Sequence, residues 1–158
     1  GAARDSHLSI DCPAPDADHP ENHEFFFPED SRFVPNFTRN FETRLIEGSR
    51  PMSGGTSQRL RCWSRHKDPA SREGEASLLC IADILPPAAL TVMTQLGPVS
   101  SMTWICNILR KPETRDGWYH VEADLTAALD GYSSQVMRIW NTDGELIVEG
   151  MQSITIFA

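Results

Sequence analysis

From Ser100 onward the chain reads as four strand-length segments: Ser100 to Lys111, Trp118 to Leu129, Tyr132 to Trp140 and Glu145 to Phe157. Turn signals divide them at Lys111-Pro112, Asp130-Gly131 and Asp143-Gly144. Asp-Gly suits the positive backbone angles of a tight hairpin turn, so the last three segments are predicted to pair as antiparallel neighbours. In the second segment Tyr119, Val121, Ala123, Leu125, Ala127 and Leu129 alternate with His120, Glu122, Asp124 and Thr126. That alternation describes a sheet with one dry face and one wet face. Whatever else the chain does, it must lay something apolar against one side of this sheet.

Ala76 to Leu85 provides the apolar layer. Leu78, Ile81, Ala82 and Leu85 follow the i, i+3, i+4, i+7 rule of a helix, and Pro86-Pro87 stops it. The other side of this helix, Ala76, Leu79 and Cys80, is also apolar, which predicts a helix buried all round. Upstream, the segment NFTRNFETRLIE from Asn36 to Glu47 puts Phe37, Phe41 and Leu45 on one parity, as a half-buried strand would. Gly48 to Gly55 reads as a loop and Gln58 to His66 as the next strand. One helix against a run of antiparallel strands is an α+β domain, placed at residues 36–158. Residues 1–35 carry Pro13, Pro15, Pro20, Pro28 and Pro35 among many acids and no sustained period, so they are predicted to form an extended arm or linker. Phe25-Phe26-Phe27 is its sticky spot, expected to dock on the domain.

Charge narrows the partners. With 14 Lys+Arg against 22 Asp+Glu the formal net charge is −8, which opposes binding to nucleic acid or to anionic membrane surfaces. No apolar run is long enough to span a bilayer, and no signal peptide is recognisable. Cys12, Cys62, Cys80 and Cys106 are widely spaced with no C-x-x-C pair, so reduced cysteines, a cytoplasmic location and no metal site are expected. His19 and His23 stand at helical spacing, but in a proline-rich tail without further ligands. Arg59, Arg61 and Arg65 share a parity with Trp63. They could meet the phosphates of a nucleotide-like handle or pair with acids on neighbouring strands.

Two polar residues stand out by their surroundings. Between Ala76 and Leu109 there is no Lys, Arg, Glu or His and a single Asp, Asp83, on the stripe of Ala76, Leu79 and Cys80. A carboxylate in apolar surroundings is either held by specific partners or raised in pKa, and raised carboxylates suit general bases. It could equally cap backbone amides at Ala88 or Ala89. In the last segment Leu146, Val148, Gly150, Gln152, Ile154 and Ile156 share one parity, which makes Gln152 the one polar side chain on that face. Its amide can position a water, or be satisfied structurally. Ser100, Ser101 and Thr103 open the strand after the helix. No His follows a G-x-S-x-G elbow, so a serine nucleophile is unsupported.

Taken together, the segments RLRCWSRHKD, LLCIADILPP, GPVSSMTWICNILRKP and DGYSSQVMRIWNTDGELIVEGMQS resemble the acyl-CoA thioesterase II and thioesterase-like family, in their order and spacing from about Asn36 onward. Members of that family usually carry two hotdog domains in one chain, and the resemblance is to the second. It implies a hotdog fold, a long central helix wrapped by a curved antiparallel sheet. It also implies that Asp83, Ser101 and Gln152 orient the water that attacks a thioester carbonyl, without an acyl-enzyme and without a cofactor. The family's usual Thr is Ser here. The implied substrate is an acyl-CoA or acyl-carrier thioester. The missing first hotdog implies either a homodimer or a separate chain supplying the N-terminal half. Two other readings stay open: a hotdog dehydratase or isomerase, which would pair a catalytic His with an acid, and a non-catalytic acyl-thioester-binding or assembly subunit.

Overall fold

The computed structural model describes residues 4–28, 34–95 and 97–157; residues 1–3 and 29–33 of the expected arm, with Leu96 and Ala158, lie outside the described residues. The elements in chain order are β1 (Phe41–Glu47), β2 (Arg59–His66), α1 (Gly74–Ala82), α2 (Ala89–Val92), β3 (Val99–Ile108), β4 (Tyr119–Leu129), β5 (Tyr132–Trp140) and β6 (Leu146–Ile156). The strands form one antiparallel sheet in the order β1-β2-β4-β5-β6-β3. Asp130 and Gly131 both take positive φ, 50° and 79°, so the β4–β5 turn has the backbone its residues foretold. The β5–β6 turn is looser: Asn141 Oδ1 accepts from the backbone N–H of Asp143 and of Glu145.

Leu78, Ile81, Ala82 and Leu85 of the α1 region pack on Leu60, Cys62, Val121, Ala123, Leu125 and Ile139 from the inner face of the sheet. The fold is thus a hotdog arrangement, a helix held by a curved antiparallel sheet. The expectation of a helix buried all round is corrected. Ala76, Leu79, Cys80 and Asp83 lie on an exposed stripe, because no other part of the described chain reaches that side. The first strand is also shorter than expected. Asn36–Asn40 is a 3-10 turn with Phe37 exposed, since the Thr38 hydroxyl and N–H both donate to the Pro35 carbonyl and draw the backbone away from an extended path.

A third departure concerns the expected wet face. His120 is only 1% exposed and Glu122 is buried, although both point away from the helix. The arm is the reason. Trp140 Nε1 donates to the Cys12 carbonyl, Trp63 Nε1 to Asp18, and Arg61 to Asp16, so the arm runs as a strap over the outer side of the sheet. It then turns along β1, where Phe26 N–H donates to the Thr43 carbonyl and Leu45 N–H to Glu24. Phe26 enters the core, and the Arg44 guanidinium stacks on Phe25 at 3.8 Å. Docking of the phenylalanine run is therefore borne out. The two sheet edges end up differently treated. β1 is lined by the arm, whereas among the described residues no strand pairs with the outer border of β3, which exposes Met102, Trp104, Ile105 and Ile108.

Gly150 and His120 make this packing testable. A Cβ on Gly150 would come within 2.3 Å of the Ile105 carbonyl oxygen on β3, a backbone atom that cannot swing aside. Gly150→Ala is expected to cost about 1–3 kcal/mol in denaturant unfolding by overpacking the β3–β6 seam; an unchanged midpoint would contradict that contact.

Acid probes the outer face. Burial first, then the charges of Arg61 and His23, push His120 from 6.5 down to about 3, and Arg61 Nε donates to its Nε2. Between those values the unfolded chain takes up a proton that the folded chain refuses. The associated stability is complete above 6.5 and is lost as pH falls toward 3. His120→Gln keeps an acceptor for Arg61 and is expected to lose less stability than the wild type between about pH 7.5 and 4.5, measured by urea midpoints.

Candidate functional site

Gln152 lies in the middle of β6 on the helix-facing side, between buried Val148 and Ile154, and is 5% exposed. A buried amide needs partners at both ends. Its Nε2 donates to Ser101 Oγ at 2.7 Å, and its Oε1 accepts from Gln135 Nε2 at 2.9 Å. Gln135, directly opposite on β5, accepts in turn from the Ala88 backbone N–H at 2.8 Å. Ala88 comes directly after Pro86-Pro87, which have no N–H to give. The result is one hydrogen-bonded row from the helix exit, through two strands, to the edge strand.

Of the three hydroxyls at the start of β3, it is Ser101 that Gln152 reaches. A bulge between Ser101 and Thr103 explains the choice. Ser101 pairs with Ile154 and Trp104 with Gln152, so both face the helix side, while Ser100 and Thr103 pair with Thr155 and Ser153 on the other face. Without the extra residue, Ser101 and Trp104 would point to opposite sides.

Asp83 caps the C-terminal end of α1, its N–H donating to the Leu79 carbonyl. Its expected alternative role as a cap for Ala88 does not hold, since Gln135 takes that N–H. The carboxylate is more open than a dry pocket would make it, and among the described residues no hydrogen bond joins it to Ser101 or Gln152. Even so, the apolar end of α1 shields enough of it that desolvation pushes its pKa above the usual 3.8. The chain thus brings Ser101 and Gln152 into contact and leaves Asp83 at the end of the exposed stripe, five residues before Ala88.

Other polar groups are otherwise engaged. Arg59 pairs with Asp124, Arg61 with Glu47 and Arg65 with Glu42, so the basic stripe is used within the sheet. His66 bonds the Ser77 carbonyl at the opposite end of α1 from Asp83, and His120 lies on the outer face beneath the arm. Neither histidine stands beside Gln152. No group of three His, Cys, Asp or Glu that could hold a metal ion occurs among the described residues. A cleft of about 350 Å³ lies between the end of α2 and the β4–β5 turn, lined by Val92, Met93, Leu129, Tyr132 and Ile156 among others; neither Ser101 nor Gln152 lines it.

Gln135 carries no mark in the sequence pattern. On β5 its parity is Ser133, Gln135, Met137 and Ile139 and the other is Tyr132, Ser134, Val136, Arg138 and Trp140. Both are mixed, so a polar residue on either gives no contrast. Register from the turn gives no signal either: the Trp140–Leu146 pair beside it would set Gln135 opposite Met151, and it is the irregularity between Ile139 and Trp140 that brings Gln135 opposite Gln152.

Residues 10–156 match the family model of the acyl-CoA thioesterase C-terminal domain. This chain belongs to that family. Its fold is similar to that of a hot dog fold protein from Alicyclobacillus acidocaldarius, with a TM-score of 0.82 at 23% identity, 99% of this chain covering 59% of that one. It is also similar to acyl-CoA thioesterase II TesB2 from Mycobacterium marinum, with a TM-score of 0.70 at 17% identity, 98% of this chain covering 59% of that one. A hypothetical thioesterase protein with coenzyme A from Streptococcus pneumoniae TIGR4 matches with a TM-score of 0.55 at 9% identity, over 74% of this chain and 87% of that one. At such identities the likeness is one of fold. This thioesterase-family chain spans 59% of the length of the first two. No curated protein matches it in sequence.

The carboxylate offers a direct check. A carbon-detected NMR titration of Asp83 is expected to give a midpoint above that of a freely hydrated aspartate, about 3.9. A midpoint at or below that value would mean that the helix end does not shield it.

Proposed function

We propose that this chain forms the C-terminal half of an acyl-CoA thioesterase and that Asp83, Ser101 and Gln152 direct a water molecule onto the thioester carbonyl. The observation that carries the reading is the 2.7 Å hydrogen bond from Gln152 to Ser101, which joins the one polar group of the β6 face to one hydroxyl of β3, within a chain of this family. The raised pKa of Asp83 supports a role as general base.

In this scheme Asp83 takes a proton from water, and the oxygen forms a bond to the acyl carbon. Ser101 and Gln152 hold the water in line, and a backbone N–H stabilises the oxyanion. Collapse breaks the carbon–sulfur bond, and the proton passes to the departing thiolate. Free acid and CoA result. The acyl chain would run into the cleft beside Val92 and Ile156. A carrier-protein thioester would meet the same groups.

The exposed Leu79–Cys80–Asp83 stripe and the bare β3 edge favour a second hotdog half as partner, from a separate chain or a second copy of this one. Covering that side would also dry Asp83. The dehydratase or isomerase reading lacks support from position, since neither His66 nor His120 is near Gln152. A non-catalytic acyl-binding subunit is the second reading, favoured by the openness of Asp83 in the single chain.

Asp83→Asn is expected to fold normally and to lower thiol release from a fatty acyl-CoA by about 10²–10⁴-fold, the scale of a lost general base. Release near the wild-type rate would reject the mechanism. Binding of acyl-CoA by a wild-type chain that releases no thiol, with solution mass establishing whether a second half is present, would favour the binding subunit.

A further inference from the structure

The two ends of a glutamine amide can exchange places with little change of shape, so what it presents to one neighbour depends on what holds its other end. Gln135 has no such freedom. The Ala88 N–H can only donate, and it lies 2.8 Å from one end of the Gln135 amide, which must therefore be the oxygen. The other end is then NH₂, 2.9 Å from Gln152. A donor at that point calls for the Gln152 oxygen, which turns the Gln152 NH₂ toward Ser101 Oγ at 2.7 Å. Ser101 Oγ thus accepts, and its own proton is free for whatever stands in front of it.

We propose that Gln135 is a positioning residue for thioester hydrolysis: it transmits the polarity of the Ala88 N–H through Gln152, so that Ser101 faces the substrate as a donor. The proposal rests on the hydrolytic reading above and extends it to a residue that touches no substrate. Gln135 is 1% exposed, and its cross-strand neighbours, Leu125 on β4 and Gln152 on β6, are uncharged. An apolar side chain would fill the inner face but leave the buried Ala88 N–H without its acceptor. Beyond answering that N–H, what the amide adds is direction.

Direction can be reversed without changing shape. In Gln135→Glu with the carboxyl ionised, both oxygens accept. One still serves Ala88, while the other repels the Gln152 oxygen, so Gln152 turns over and takes up the Ser101 proton. When the same carboxyl is protonated, its O–H donates to Gln152 and the native order returns. Burial raises the pKa of such a carboxyl, which brings the change toward the range where hydrolysis can be assayed. Gln135→Leu breaks the row at every pH.

The test is kcat and KM for a fatty acyl-CoA across about pH 5–9, using wild type, Gln135→Glu and Gln135→Leu together with any second half the protein requires. Gln135→Leu is expected to lower kcat by about tenfold or more at all pH values with KM little changed, the effect of one mispaired hydrogen bond at the reacting groups. Gln135→Glu is expected to approach wild type at the acid end and fall to the level of Gln135→Leu as pH rises. A pH-independent ratio of Gln135→Glu to wild type, or wild-type kcat in Gln135→Leu, overturns the proposal. Side-chain amide exchange in the unsubstituted chain, followed by NMR, needs no activity and no variant. Slow exchange at both Gln135 and Gln152 supports the row, and fast exchange at either overturns it. Protected amides in a wild-type chain that releases no thiol would instead overturn the hydrolytic reading and leave the hydrogen-bond order standing.

Discussion

A buried backbone N–H must find an acceptor, and at the exit of α1 that requirement organises the candidate site. The helix stops at Ala82 rather than at the prolines expected to stop it; Pro86-Pro87, further along, give no N–H of their own, so Ala88 presents the first N–H after them, inside the core. Gln135 answers it, and Gln152 answers Gln135. The row crosses the sheet from β5 to the edge strand and ends on a hydroxyl. Had the acceptor been a carbonyl from a neighbouring loop, the amides of β5 and β6 would have had no fixed sense, and Ser101 no fixed role. The site's chemistry thus begins in the proline turn that follows the helix.

Sequence pattern reveals the parts of this molecule in which one face contrasts with the other. The β6 parity, with one amide among apolar neighbours, is legible, and so are the Asp130-Gly131 turn and the apolar stripe of Leu78, Ile81, Ala82 and Leu85. Gln135 is hidden because residue types on β5 do not follow burial: Ser133 and Gln135 stand with Met137 and Ile139 on the buried side, and Tyr132 and Val136 stand with Ser134 and Arg138 on the half-exposed side. His120 and Glu122 read as wet for a related reason. Their cover comes from residues 12–18, which lie far away in sequence and show no periodicity of their own. Local pattern cannot report a lid that arrives from a distance. The exposed back of α1 misleads in the opposite sense: its residues are apolar, but what would bury them is not in the described chain.

The outer side of the sheet explains why so many charges can sit close together without opening the structure. Arg59, Glu122, Arg138 and Glu149 alternate across four strands in an ion-paired row, while Arg65 and Arg44 share Glu42. Such pairs contribute little individually when solvent reaches them. Here they stand beside the arm, whose carbonyls accept from Arg61, Trp63 and Trp140, so the polar network and the strap hold each other in place.

The unequal edges have a consequence for how copies of the protein can associate. A sheet with two open borders can add neighbours on either side without limit, which is the route to fibres. Among the described residues the arm occupies part of one border and leaves β3 free, so strand-to-strand pairing between identical molecules would use up the one open border on each. Such growth would stop at a pair related by a two-fold axis, a closed arrangement in place of an open-ended one.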